Sequence, residues 1–495
     1  MALSIVCCVG EKITFFQYGS GLQILGALMS ERVIETDYLI IGAGASAMAF
    51  ADEILSHSTA SLVIVDRRDS PGGHWNDAYP FVRLHQPSEF YGVNSCELGQ
   101  HVKYVSGLNK GLYNLASGSE VLAYFDRLMQ QRFLPSGRVR YFPMCNVISD
   151  SQFESIPTGQ AHTFVAKKAI FDAAYCTFEV PSTHPPKYAV APGVRCISPN
   201  QLPKAAKPAD SYVIVGAGKT AIDVNLWLLE RGINPDRIRW IIPRDFWFQN
   251  RANIQPGEEF FLQSFGSAAA QLEAVGAAAS INDLFDRLEA AEQLLRLDPG
   301  IRPTAYRCAV VSKDELVQLR RIKSVVRMGH VQSIQSDRII LDKGQVVLVN
   351  DDIVINCTAS GISRKPSTSI WADKRITLQL VRTCQPLFSA ALIGFLEATF
   401  GNDQGLKNSL CTPVPFPVVD TDWLIMLALS TKNRVAWRAH PQIEKWLAQS
   451  RLNGFFALAA TAKPDETEKM MVLQRLQAAA NSASSKMPAL LSALN

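Results

Sequence analysis

The chain has 495 residues, of which 47% are hydrophobic and 19% charged, and it carries a formal net charge of +4. That composition is globular, the length calls for two or three domains with sizeable cores, and the charge is too near neutral for a nucleic-acid footprint. No apolar run reaches the roughly 20 residues that span a bilayer. The longest runs, residues 387–396 and 423–430, have the length of core helices, so no integral membrane segment is expected and a cytoplasmic location follows.

The ten cysteines, Cys7, Cys8, Cys96, Cys145, Cys176, Cys196, Cys308, Cys357, Cys384 and Cys411, include no C-x-x-C pair and no Cys/His group at zinc spacing. Their pattern argues against a disulfide framework, a dithiol redox centre and a metal site, and predicts mostly buried thiols in a reducing compartment. Residues 1–28 begin apolar but lack a basic leader and are interrupted by Glu11 and Lys12, which argues against a signal peptide. Met29 stands where a nucleotide-binding domain usually begins, so these residues are expected to be a dispensable extension.

Residues 37–94 carry the strongest pattern. Tyr38–Ile41 reads as a buried strand, followed by Gly42, Gly44 and Ala47 in G-x-G-x-x-A spacing and then by a helix. Such a turn lets backbone N–H groups and a helix N-terminus meet a pyrophosphate. A second apolar strand ends at Asp66, whose carboxylate suits a ribose diol.

Residues 119–133 predict a helix capped by Ser119, and residues 139–186 predict strands that include a β-meander. Residues 181–210, rich in Pro, Ala and Lys, predict a linker. The glycine pattern then repeats: strand Tyr212–Val215, Gly216, Gly218 and Ala221, helix, and a strand ending at Pro243–Arg244–Asp245. An arginine here suits the 2′-phosphate of NADPH, with a surface salt bridge as the alternative. Residues 258–297 predict helices, either a cap over a substrate or plain packing. Alternating strands fill 324–361 and end in the small-residue turn Cys357–Gly361, and the remainder is mostly helical. The fold class is therefore α/β, with two Rossmann-like units, each a mainly parallel sheet flanked by helices with a β-meander. Two such units allow hydride to pass from a nicotinamide to a flavin, with FAD at the acid-ended site and NADPH at the arginine-ended one.

Gly72–Gly73–His74–Trp75 resembles the GGxW of class B flavin monooxygenases, the flavin-containing, Baeyer–Villiger and N-hydroxylating enzymes. Tyr79, Pro80, Arg83, Ser88 and Tyr91 fall in step with the Baeyer–Villiger pattern. The resemblance implies that NADPH reduces FAD, that O₂ adds to give a hydroperoxyflavin, and that one oxygen atom passes to a small organic substrate. It implies FAD contacts at Gly42, Gly44, Ala45, Ser46, Asp66, Arg67, Gly73, His74, Trp75, His85, Gln86 and Val147. It implies NADPH contacts at Gly216, Gly218, Lys219, Thr220 and Arg244. Three residues are catalytic candidates. His85 replaces the family's active-site Asp, either beside the flavin as a group titrating near neutrality or as a structural histidine. Asn94 stands near the position of a peroxide-orienting Asn. Arg251 faces either the flavin and nicotinamide or the surface. The linker fingerprint FxGxxxHxxxW is absent before Gly216, which sets Baeyer–Villiger oxidation in particular apart from the expectation. An NAD(P)H-dependent flavoprotein reductase with another acceptor, and a protein with a structural flavin, stand as alternatives.

The implied boundaries are an N-terminal extension over 1–35, an FAD-binding domain over 36–195 and an NAD(P)H-binding domain over 196–348 with the insertion 258–297. A second part of the FAD-binding domain with C-terminal helices follows over 349–480, and a flexible tail over 481–495.

Overall fold

The computed structural model describes residues 33–494, except 177, 206–208, 350, 360 and 363–364 and the side chains of 362 and 456. Residues 1–28, expected as an extension, lie outside the described residues, as does Ser360 of the small-residue turn.

The first unit is built on β1 (Ile34–Ile41), α1 (Ala45–His57) and β2 (Leu62–Val65). Its parallel sheet runs in the order Arg375–Thr377, Ala161–Asp172, β1, β2, Val139–Phe142. Every residue of β2 is buried, as expected of a parallel strand covered on both faces. Cys145–Ser149 and Gln152–Ser155 form an antiparallel meander that joins the sheet through Ala161–Asp172. The helix expected over 119–133 is α2 (Gly118–Leu128), and its cap is Ser117 rather than Ser119. Ser117 wins because Glu120 lies three residues on and returns its carboxylate to the Ser117 N–H at 2.7 Å, completing a capping box.

The second unit has a five-stranded parallel sheet in the order Cys196–Ile197, Ile353–Asn356, Tyr212–Val215, Ile238–Ile241, Ser324–Val326. Helix α3 (Lys219–Glu230) follows its glycine turn. Two sequence boundaries move. Ile353–Asn356 pairs with Tyr212–Val215, so the second unit continues past residue 348. The segment 181–210, read as a linker, supplies Cys196–Ile197 to this sheet and Ala189–Val190 to a neighbouring meander.

The insertion holds α4 (Phe261–Ala277) and α5 (Ile281–Ala290), beside a small sheet of Phe246–Asn250, Leu294–Leu295 and Ala305–Val311. Then come α6 (Lys313–Leu319), α7 (Pro386–Phe400), α8 (Gln404–Leu410), α9 (Asp422–Arg438), α10 (Pro441–Gln449), α11 (Gly454–Ala459) and α12 (Thr467–Ser492). The expected flexible tail is instead the second half of α12, where Ala483 and Leu490 are buried. Small residues explain the docking: a Cβ on Gly276 of α4 would meet Ser482 Cβ at 2.9 Å, so the two helices run in close contact. No described helix is long and apolar enough to cross a membrane.

Helix α7 is buried from Leu387 to Glu397 and packs on α1. A Cβ on Gly394 would stand 2.9 Å from Phe50 O and 3.0 Å from Glu53 Cβ. Glu397 on the same helix accepts from Tyr38 Oη and Trp371 Nε1, each at 2.9 Å, and pairs with Lys407, so its buried charge is fully engaged. Gly394→Val is expected to cost about 2–3 kcal/mol by overpacking the α1–α7 contact. Urea unfolding of the purified chain measures this, and a change within 0.5 kcal/mol, roughly the scale of a surface substitution, would contradict the close approach.

Candidate functional site

In register, Tyr38–Ile41 of β1 pairs with Leu62–Val65 of β2, so Gly42 and Asp66 emerge side by side. Gly42 turns with φ +100° and donates its N–H to Val65 O at 2.7 Å. Asp66 is buried and accepts from Ala43 N–H at 2.5 Å and from Arg68 N–H at 2.8 Å, so its carboxylate fixes the turn it follows. Gly72–Gly73 then folds back on this turn. Gly72 N–H reaches Ala43 O at 2.9 Å, and a Cβ on Gly73 would stand 2.9 Å from Gly44 Cα. Gly73 has φ +59°, so conformation and space both call for glycine.

The second turn repeats the geometry. Gly216 has φ +123°, and a Cβ there would meet Cys357 O at 2.7 Å, while one on Gly218 would find nothing within 4 Å. Gly44 and Gly218 are the N-caps of α1 and α3. Neither helix has a side-chain cap or an acidic residue in its first turn. Their leading N–H groups therefore offer donors and positive dipole ends to an anion.

Both turns line one cavity of about 2230 Å³, more than twice the usual upper size of a single ligand site. Gly42, Gly44, Ala45, Ser46, Asp66, Arg67, Gly73, His74, Trp75, His85, Gln86, Val147, Gly216, Gly218, Lys219, Thr220 and Arg244 all lie on its wall. Trp75 donates to Tyr91 Oη at 2.6 Å, and His74 stacks on Phe178 with 4.3 Å between ring centroids. Burial, then the Arg68 charge, pulls the His74 imidazole down to about 4. Arg244 makes no ion pair among the described residues, and its neighbour Asp245 is paired with Arg327 at 2.8 Å.

The units meet where the catalytic candidates were sought. Tyr79 donates to Asp223 Oδ2 at 2.7 Å, and Lys219 holds the same carboxylate oxygen. The structure brings His85, Lys219 and Arg251 together. Burial first, then the Lys219 and Arg251 charges, pulls the His85 imidazole down to about 3, so it is neutral at physiological pH. It does not titrate near neutrality as the sequence suggested. Val310 N–H points at its Nδ1 from 3.4 Å, which leaves Nε2 as the protonated nitrogen.

Arg251 is neither at the surface nor on the cavity wall. It is 3% exposed, pairs with Glu315 at 2.7 Å and donates to His85 O at 3.1 Å, Val310 O at 2.9 Å and Asn109 Oδ1 at 2.5 Å. Burial pushes the Glu315 carboxyl up, but the Arg251 charge and the bonds from Arg251, Asn109 and Ser312 outweigh it and hold the group below its usual range. Asn94 is also displaced from the cavity: its amide donates to Glu53 of α1 and its oxygen accepts from Ser450 Oγ at 2.9 Å. The side-chain polar groups of both residues are bonded to other parts of the chain.

The cysteine pattern also needs correction. Cys308 and Cys384, 76 residues apart, bring their side chains together on the cavity wall with their Cα atoms 6.3 Å apart. Local spacing could not reveal a pair formed between two units. Arg382 and Asn200 line the same cavity, and no motif in the sequence marks them.

Two outcomes follow. Arg251→Ala leaves Glu315 buried without its partner and is expected to cost about 3–5 kcal/mol in denaturant unfolding; a cost below about 1 kcal/mol, typical of an exposed pair, would contradict the buried pairing. His85 is depressed when folded and ordinary when unfolded, so its contribution is complete above pH 6.5 and is lost as pH falls toward 3. Wild type should therefore lose about 1–2 kcal/mol more than His85→Gln between pH 6.5 and 4.5, and parallel losses would count against the shift.

No family model matches the chain. Among solved structures it is similar to a flavin-containing monooxygenase from Stenotrophomonas maltophilia (14% identity, 74% of this chain and 98% of that one, TM-score 0.43). It is also similar to a cyclohexanone-bound cyclohexanone monooxygenase (12%, 82% and 98%, TM-score 0.48) and an NADP-bound steroid monooxygenase (11%, 90% and 99%, TM-score 0.45). The uncharacterized proteins Rv2000 of Mycobacterium tuberculosis and Mb2023 of Mycobacterium bovis are each 48% identical to it over 445 residues, covering 90% of this chain and 82% of theirs. With about half its residues identical across nine-tenths of its length, the chain belongs to the family of Rv2000 and Mb2023.

Proposed function

We propose that this chain is an FAD- and NADPH-dependent oxidoreductase that uses O₂ to place one oxygen atom in a small organic substrate. The observation that carries this reading is the single cavity onto which both glycine turns open. Bound together there, the cofactors supply hydride transfer from nicotinamide to flavin and, from the reduced flavin, oxygen chemistry.

The chain's own residues fit these groups. The α1 N-terminus takes the FAD pyrophosphate, with Gly44 and Gly73 keeping side chains out of its path. The α3 N-terminus would take the NADPH pyrophosphate, and Arg244 would take the 2′-phosphate. Trp75 and His74 wall the flavin side, and α4, α9 and α12 line the far side of the cavity with a mixture of apolar and polar side chains. His85, neutral, holds its Nε2–H as a donor and does not serve as a proton-bearing acid at pH 7.

The test is to purify the chain with FAD, add NADPH without oxygen and then admit O₂ while following flavin absorbance. Bleaching by NADPH, then a delayed return of absorbance while NADP⁺ is bound, is expected. Prompt return favours a reductase with another acceptor, and no bleaching overturns the reading. Gly73→Val should yield protein with little or no flavin after gel filtration, since its Cβ meets Gly44. Arg244→Ala should raise KM for NADPH by about tenfold or more and spare NADH, on the scale of one lost charge-assisted contact; equal losses for both would remove Arg244 from the 2′-phosphate.

A further inference from the structure

Cys308 lies in the strand Ala305–Val311 of the second unit, and Cys384 lies two residues before the first residue of α7. Their Cα atoms are 6.3 Å apart, within the span a disulfide bridges. A bond here ties a strand of the second unit to the entry of a helix packed in the first.

Three observations set this pair apart from a permanent cross-link. Both residues line the cavity, where a small oxidant or reductant can reach them. Both backbones are left-handed, with φ +56° at Cys308 and +49° at Cys384. That conformation is disfavoured for a residue with a side chain, so both segments carry local backbone strain. The other described cysteines, Cys96, Cys145, Cys176, Cys196, Cys357 and Cys411, are free thiols. A chain that keeps those thiols matches reducing surroundings, where the disulfides that do occur are usually transient.

The pair is also placed to be felt. Cys308 stands two residues before Val310, whose N–H faces His85. Cys384 follows Thr383, which is bonded to Ser430 of α9 at 2.8 Å, and its sulfur lies 4.0 Å from Met426 Sδ. A change at this bond reaches both the His85 wall and the helical wall of the cavity.

We propose that Cys308 and Cys384 are a reversible oxidation site, at which hydrogen peroxide converts two thiols into the tie across the cavity wall and a dithiol reopens it. One thiolate attacks peroxide: an S–O bond forms, the O–O bond breaks and hydroxide leaves. The second thiol then displaces the hydroxyl from the first sulfur as water. In sum, two thiols and one H₂O₂ give one disulfide and two waters, and the sulfurs lose two electrons. Exchange with a dithiol reverses the bond and leaves the dithiol oxidised. The site needs no bound flavin, so it stands whether or not the proposed activity does.

The experiment uses the purified full chain. It is reduced with dithiothreitol, desalted, treated with one equivalent of H₂O₂, alkylated, digested and weighed. A linked peptide pair carrying Cys308 and Cys384 is expected, and native treatment with dithiothreitol should return both as alkylated thiols. The oxidised form should melt about 4 °C above the reduced one, from closing a loop of this length in a chain of this size. Cys384→Ser and Cys308→Ser should each abolish that difference, and the wild-type comparison stands even if one variant fails to fold. Either cysteine gaining about 32 Da as a sulfinic acid without a link, a link to a different cysteine, a bond that opens only after denaturation, or equal melting of the two forms would overturn the proposal.

Discussion

The structure depends on backbone meeting backbone without side chains between. At the first turn Gly73 lies against Gly44, and at the second Gly216 lies against the carbonyl of Cys357. Each contact closes a loop over a helix N-terminus that carries no side-chain cap of its own. Side chains cap some of the other helices, Ser117 on α2, Ser280 on α5, Ser312 on α6 and Asp403 on α8. Without such caps, α1 and α3 face the cavity with donors uncommitted.

Polar groups at the seam then fix how the two openings face each other. Tyr79 from the first unit and Lys219 from the second share the Asp223 carboxylate. Arg251 reaches across to His85 O while paired with Glu315, and Phe81 stacks on Trp227 at 5.0 Å. Taking one partner from such a buried set leaves a charge without compensation, so the set resists sliding better than apolar packing alone would. His85 sits within it, and its neutrality is a consequence of the cations around it and of its burial.

Much of this was legible in the sequence. The two strand–glycine–helix patterns stand where the sequence places them, because Gly42 and Gly216 meet the local requirement of the turn and Gly44 lies against Gly73. The residues read as cofactor contacts all reach one cavity wall. What failed was long-range. Asn94 and Arg251 are candidates by resemblance, but their partners, Glu53, Ser450, Glu315 and Asn109, come from segments that no local pattern links to them. The Cys308–Cys384 pair failed for the same reason. The tail was read as loose because alanine and serine lack hydrophobic periodicity, yet those small side chains are what let α12 approach α4 so closely. The boundary at 349 fell one strand early because a buried strand carries no mark of which sheet it joins.

The interruption of the first sheet has a consequence for how the chain assembles. Arg375–Thr377 pairs with Ala161–Asp172 across some two hundred residues that include the whole second sheet. During synthesis the second sheet can therefore reach its full strand complement while the first still lacks one edge. Contacts of such separation in sequence are slow to form. The first unit is complete only after the second has been made, because α7, which seats against Phe50 and Glu53 of α1, lies beyond it in the chain.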